Sequence, residues 1–249
     1  MGLVRRGARR VGLDAEAAWD AGLFAILSCF VASRLLLILQ SPAAFVHHPL
    51  LLLGLPSLTL GGMLTAAAAT WVYLRRQRLP TLSLLDTFAA PSAILATFLE
   101  LGHWLDGSEA GMPTLLPWGV AVASADPGLR ALRVHPVALY GVLLGLLLAA
   151  GLWFSFDLLT TFHISPVHHD RPGAVAALGL LGGGMAAFAL DMLSVPPVLT
   201  LIPGVEPGQW VALAAMLAGA LLWVLVPRRL RSVSNTKIFP PEPLHREVH

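Results

Sequence analysis

Charge is scarce in this sequence. Only 12% of its 249 residues are Asp, Glu, Lys or Arg, about half the share found in soluble domains, which excludes an ordinary water-soluble globule. Cysteine is scarcer: Cys29 stands alone, so no intramolecular disulfide can form. No soluble domain, coiled coil or tandem repeat is legible. Apolar residues fill the gap, with 56% of the chain hydrophobic and a mean hydropathy of +0.74.

That apolar material is gathered into six windows, Trp19–Leu39, Leu50–Leu74, Leu84–Leu105, Val137–Phe156, Ala174–Leu193 and Trp210–Val226. Each is near the roughly 20 residues that cross a bilayer as helix. Hydrocarbon offers the backbone no water to bond, so the spans are predicted to be helices and not strands. The expected fold is an all-α polytopic membrane bundle of about six spans. A basic segment over 1–14 precedes a membrane domain over 15–227, and a polar, irregular tail over 228–249 follows. A basic stretch before "FAILSC" resembles a cleavable leader ending at Cys29, but Asp14, Glu16 and Asp20 interrupt it and the apolar run continues past Cys29. An uncleaved helix is expected.

Orientation follows from the arginines. Of 16 Lys and Arg, thirteen fall on one side when six spans alternate: Arg5, Arg6, Arg9, Arg10, Arg75, Arg76, Arg78, Arg171, Arg228, Arg229, Arg231, Lys237 and Arg246. The positive-inside rule then makes both termini cytoplasmic and turns the 106–135 linker to the far side. The sequence pI near 9.2 reports this topology, and no nucleic-acid partner is expected.

Ionisable groups within spans are costly, by about 2.5–3.5 kcal/mol each at mid-bilayer on insertion scales, and so point to function. Asp20, Asp86 and Asp157 are read as lying near span ends, where they snorkel to headgroups. Arg34 lies about one turn inside its helix and suits either a lipid phosphate or a site. Glu100, His103 and Asp106 follow at i, i+3 and i+6 along one side of a helix end. They could set a proton acceptor beside a carboxylate that fixes its tautomer, or could be a helix end meeting water. In "RALRVHPVALYG", Arg130, Arg133 and His135 precede a helix start at Pro136, with Tyr140 one turn in. An anionic headgroup or plain interfacial anchoring suits that arrangement.

Taken in order, "RRVGLDAEAAWDAGLFAILSCFVASRLLLIL", "LTLGGMLTAAAATWVYLRRQRLP", "LGHWLDGSEAGMPTLLPWGV", "RVHPVALYG" and "GLLGGGMAAFALDML" resemble the prolipoprotein diacylglyceryl transferase family over about Arg9 to Val226. The stretches "PTLLPWGV" and R-x-HP-x-x-LY carry most of the likeness. The resemblance implies a multi-pass enzyme of the bacterial inner membrane with its site towards the periplasmic leaflet. It would move diacylglyceryl from phosphatidylglycerol to the lipobox cysteine of a preprolipoprotein and release glycerol phosphate, with no metal or other cofactor. Its partners would be phosphatidylglycerol, the lipobox segment and membrane lipids. Catalytic roles would fall to His103 and Asp106, and substrate binding to Arg34, Gly61, Gly62, Gly107, Gly111, Arg133, His135, Tyr140 and Asp191.

Departures from the family pattern are specific. Its H-G-G-L reads "LGGM", with Leu60 in place of histidine; its G-R-x-G-[NC]-F-x-[NA]-G reads "LELGHWLDG", with Glu100 for arginine and His103 for asparagine or cysteine. Its late Arg and Glu read Ala187 and Asp191. Family members usually have seven spans, and "MGLVRRGARR" looks like the segment that follows the first, so that helix and its functional tyrosine are expected to have no counterpart here. Three readings stand: a divergent transferase with His103 as base, an inactive relative that binds lipid or lipoprotein precursor, and an intramembrane metal-dependent hydrolase using His103, Asp106 and His135.

The topology is testable. Reporter fusions after Arg78 and after Arg231 are expected to read cytoplasmic and one near Glu109 periplasmic; a cytoplasmic signal near Glu109 would overturn the six-span order.

Overall fold

The structure is a computed structural model that describes residues 2–42, 60–107, 111–122, 132–161, 172–195 and 207–225. Among these residues seven helices and two short strands follow in order: α1 (Gly2–Arg10), α2 (Ala15–Gln40), α3 (Leu60–Arg76), α4 (Thr81–Asp106), β1 (Val120–Val122), β2 (Leu132–Val134), α5 (Val137–Thr161), α6 (Ala174–Asp191) and α7 (Pro207–Leu225). The chain is thus a helical, multi-pass membrane protein. Helices α2, α4, α5, α6 and α7 are long and apolar enough to cross a bilayer. The sixth expected span is represented by α3, 17 residues long; the start of its window, from Leu50, lies outside the described residues. So does the 228–249 tail.

Local chemistry sets the helix ends. Asp14 opens α2 by accepting from the backbone N–H groups of Glu16 and Ala17, each at 3.3 Å. Gly107, at φ 65°, closes α4 in the left-handed conformation that glycine adopts without strain. With 26 residues apiece, α2 and α4 each rise about 39 Å, more than the ~30 Å hydrocarbon core.

The helices approach one another through small residues, as membrane helices must when lipid supplies no hydrophobic drive. Gly62 of α3 lies against Ser33 of α2, and Gly145 of α5 against Thr97 of α4. In the α6–α7 pair a Cβ on Gly184 would stand 2.7 Å from the Ala212 carbonyl oxygen, and one on Gly219 would stand 2.8 Å from that of Ala177.

The 1–14 segment, expected only as a basic stretch, contains a helix docked on the bundle. Val4, Gly7 and Ala8 of α1 are buried, and Val4 and Ala8 share a cluster with Ala18, Ala21, Leu74 and Leu84. The Arg10 guanidinium lies over the Trp153 ring, 4.3 Å from its centroid, a cation–π contact. At this arginine-rich end α2 also meets α4, with Gly22 pressed against Phe88.

Asp86 corrects the sequence reading. It does not snorkel: it is buried inside α4's packing surface. The N-cap of α6 is Gly173, at φ 95°, which has no side chain to cap its own helix. Asp86 supplies the missing acceptor from a different helix, taking the Gly173 N–H on Oδ2 at 2.6 Å and the Ala176 N–H on Oδ1 at 2.8 Å. Asp20 is exposed, as expected, and the side chain of Asp157 lies outside the described residues.

Asp86→Ala strands two buried donors and is expected to cost about 2 kcal/mol of stability. Asp86→Asn keeps one acceptor oxygen and should cost less. Thermal unfolding of the purified protein in detergent checks the order; equal melting temperatures for Asp86→Ala and wild type would remove the capping role.

Candidate functional site

The linker between α4 and α5, read from sequence as a loop, holds a small sheet. Strands β1 and β2 pair antiparallel, with Val120 opposite Val134, Ala121 opposite Arg133 and Val122 opposite Leu132. On the other side of β2 lies 111–114: Thr114 N–H donates to the Arg133 carbonyl at 2.8 Å and His135 N–H to that of Met112 at 3.0 Å. That segment is pinned in turn to the end of α6, where Met112 N–H donates to the Leu193 carbonyl at 2.8 Å. Gly111 is buried directly against the His135 backbone carbonyl, so a side chain there would part the two segments.

This lattice aims three polar side chains. The Trp118 indole N–H donates to the Tyr140 hydroxyl at 2.7 Å. Indole can only donate, so the phenolic oxygen is the acceptor and its own hydrogen is left for His135, whose Nδ1 is 3.5 Å away. His135, a substrate-binding candidate from the resemblance, thus has its ring turned to Tyr140. Arg133 is exposed and donates to the Pro117 carbonyl at 3.3 Å. Trp118 was missed as a site residue, although it sits inside the "PTLLPWGV" stretch that carries the family likeness.

Below the sheet α4 crosses α5 in close contact. The carboxyl of Glu100 fills the space that Gly141 leaves empty: a Cβ on Gly141 would be 2.8 Å from Glu100 Cδ. One turn along α4, His103 Nδ1 is 3.9 Å from Glu100 Oε2. Thr97 opposes Gly145 and Glu100 opposes Gly141, so the same antiparallel register sets His103 level with about Ala138, at the start of α5. The sequence pattern favoured Asp106 as the companion of His103. Asp106 is exposed at the last position of α4, whereas Glu100 is the carboxylate turned into the bundle. Sequence reading placed Glu100 in the same helix-end group and as a replacement for the family's arginine, but could not see its seat, which depends on a glycine 41 residues further on.

The remaining candidates fall in two places. Asp191 ends α6 with Oδ1 2.5 Å from where a Gly208 Cβ would be, at the start of α7. Three residues on, Ser194 bridges to Gly111, which ties Asp191 to the sheet. Arg34, Gly61 and Gly62 belong to the α2–α3 crossing, where Gly61 faces Leu36 and Gly62 faces Ser33. Arg34 lies twelve residues beyond Gly22, about 18 Å along the helix from that contact and towards the same end as the sheet. The structure therefore gathers Gly111, Trp118, Arg133 and His135 in and around the sheet with Tyr140 of α5 against them, seats Glu100 and His103 on α4 near the start of α5, and carries Arg34 on a separate helix pair. Gly107 serves as the stop of α4. Among the described residues no three His, Cys, Asp or Glu side chains group as metal ligands. The hydrolase reading, which needed His103, Asp106 and His135 together, loses its ligand set there.

Such a site can accept a proton at an imidazole and offer a guanidinium and hydroxyl to an oxyanion. Comparison with known proteins narrows what it serves. The chain is 33% identical to a phosphatidylglycerol–prolipoprotein diacylglyceryl transferase of Idiomarina loihiensis over 178 residues, 68% of this chain and 60% of that protein. It is 34% identical to one of Gloeobacter violaceus over 181 residues, 69% of this chain and 61% of that protein. With one of Zymomonas mobilis the identity is 28% over 221 residues, 86% of this chain and 73% of that protein. Matches to the first two thus span about 60% of those relatives' length. The family model for prolipoprotein diacylglyceryl transferase matches residues 1–225, nearly the whole sequence, and the chain belongs to that family.

Proposed function

We propose that this protein transfers diacylglyceryl from phosphatidylglycerol to the lipobox cysteine of a preprolipoprotein, at the periplasmic leaflet of a bacterial inner membrane. The observation that carries the reading is the Glu100–His103 pair, with Glu100 seated against Gly141, at the start of the helix that bears Tyr140 and follows Arg133 and His135. In the reaction a C–S bond forms as the thiol sulfur attacks the glycerol carbon, and the C–O bond to phosphate breaks. The thiol proton passes to His103 Nε2, while Glu100 beside Nδ1 favours the tautomer that leaves Nε2 free to accept it. Glycerol phosphate leaves, and Arg133 supplies a cation that stabilises its growing charge. The Tyr140 hydroxyl, with Trp118 donating to it, is a further polar contact for the headgroup.

Two observations favour a second reading, an inactive relative that binds lipid or lipoprotein precursor. A carboxylate, Glu100, faces into the bundle, and Arg133 is already engaged with the Pro117 carbonyl. Both features weaken an anion site.

Transfer from labelled phosphatidylglycerol to a lipobox peptide separates the two. Wild type is expected to transfer, and His103→Ala to lose about 100-fold or more, the usual cost of removing a general base. Arg133→Ala should weaken lipid binding. Wild type that binds phosphatidylglycerol and transfers nothing overturns the enzyme reading in favour of the binding relative.

A further inference from the structure

The small sheet presents a face that water does not suit. Leu115 is fully exposed, Trp118 is 59% exposed and Leu132 54%, and Met112 is exposed beside them. Other apolar residues near it in the chain are exposed as well: Leu105, just before the terminal Asp106 of α4, at 78%, and Met192 and Val195, either side of the Ser194 that bridges to Gly111. A single apolar residue on a surface carries no meaning, but a contiguous patch marks a surface that something covers.

Three features identify the covering as phospholipid. First, the spanning helix that leads towards the sheet is itself apolar and exposed near that end, at Phe98, Leu99 and Leu105 of α4. Second, Arg133 is the one Asp, Glu, Lys or Arg among the described sheet residues, 111–122 and 132–136. It is exposed, as an arginine is when its stem lies on apolar surface and its guanidinium reaches lipid phosphate. Third, Trp118 and Tyr140 hold each other through a hydrogen bond at this level, and tryptophan and tyrosine are the residues that collect where acyl chains meet headgroups.

We propose that the sheet is an interfacial element, with Leu115, Trp118 and Leu132 sunk into the boundary between headgroups and acyl chains and Arg133 at phosphate depth. The lipid surface then holds the sheet, and with it His135 beside Tyr140 of α5, at a fixed height over Glu100 and His103. Docking to the bilayer is independent of whether the site is catalytically active.

Leu115→Cys and Leu132→Cys, each in a Cys29→Ser background, can be labelled with an environment-sensitive fluorophore. The full chain is then placed in phosphatidylcholine nanodiscs, with or without phosphatidylcholine carrying a nitroxide near the top of its acyl chain. Both labels are expected to lose most of their emission to the nitroxide lipid and little to aqueous iodide. Quenching by iodide and not by the nitroxide puts the sheet in water and overturns the proposal. Protection from both quenchers, as a second copy or another segment of chain would give, overturns it too.

Discussion

The distance between α4 and α5 at Gly141 is the constraint from which the site follows. A carboxylate inside a membrane bundle is costly and persists only where neighbouring groups enclose and pair it. Glu100 is enclosed because Gly141 has no side chain, and any Cβ there would meet its carboxyl group. Four residues on, Gly145 admits Thr97 in the same way, so two notches on one face of α5 fix the register of the crossing. That register brings His103 to the start of α5 and leaves its Nδ1 3.9 Å from Glu100. A bulkier residue at either notch would push the helices apart and shift Glu100 and His103 relative to the start of α5.

Backbone hydrogen bonding imposes a second constraint at both ends of the bundle. At the arginine-rich end the exposed amides of α6 would be stranded behind a glycine cap, and Asp86 reaches across from α4 to take two of them. At the other end the described segments between α4 and α5, 111–122 and 132–136, pair with each other and with Leu193 just past the end of α6. Both solutions link distant parts of the sequence. They make the α4–α5–α6 group one unit, to which α2 and α3 attach near α1.

The sequence revealed what depends on composition and local period. The apolar windows lie within a few residues of α2, α4, α5, α6 and α7, since hydropathy over some twenty residues is a strong signal. It also revealed the family, because ordered motifs survive where single residues have changed. Contacts between distant residues were hidden. Asp86 looked like a span-end carboxylate because its partner is 87 residues away. Strands of three residues are too short to show alternation, so the sheet was read as a loop. Glu100 looked like a defect because its meaning lies in Gly141. The 1–14 segment was read by charge alone, although Val4, Gly7 and Ala8 at i, i+3 and i+4 already trace a helix face.

Coupling between Glu100 and Gly141 tests the account most directly. A double-mutant cycle on the rate of diacylglyceryl transfer would compare Glu100→Gln, Gly141→Ala and the double variant. If the notch acts by seating Glu100 beside His103, the losses are strongly non-additive, and the double variant is little slower than the worse single one. Losses that simply add would mean that Gly141 and Glu100 act separately, and would contradict the account.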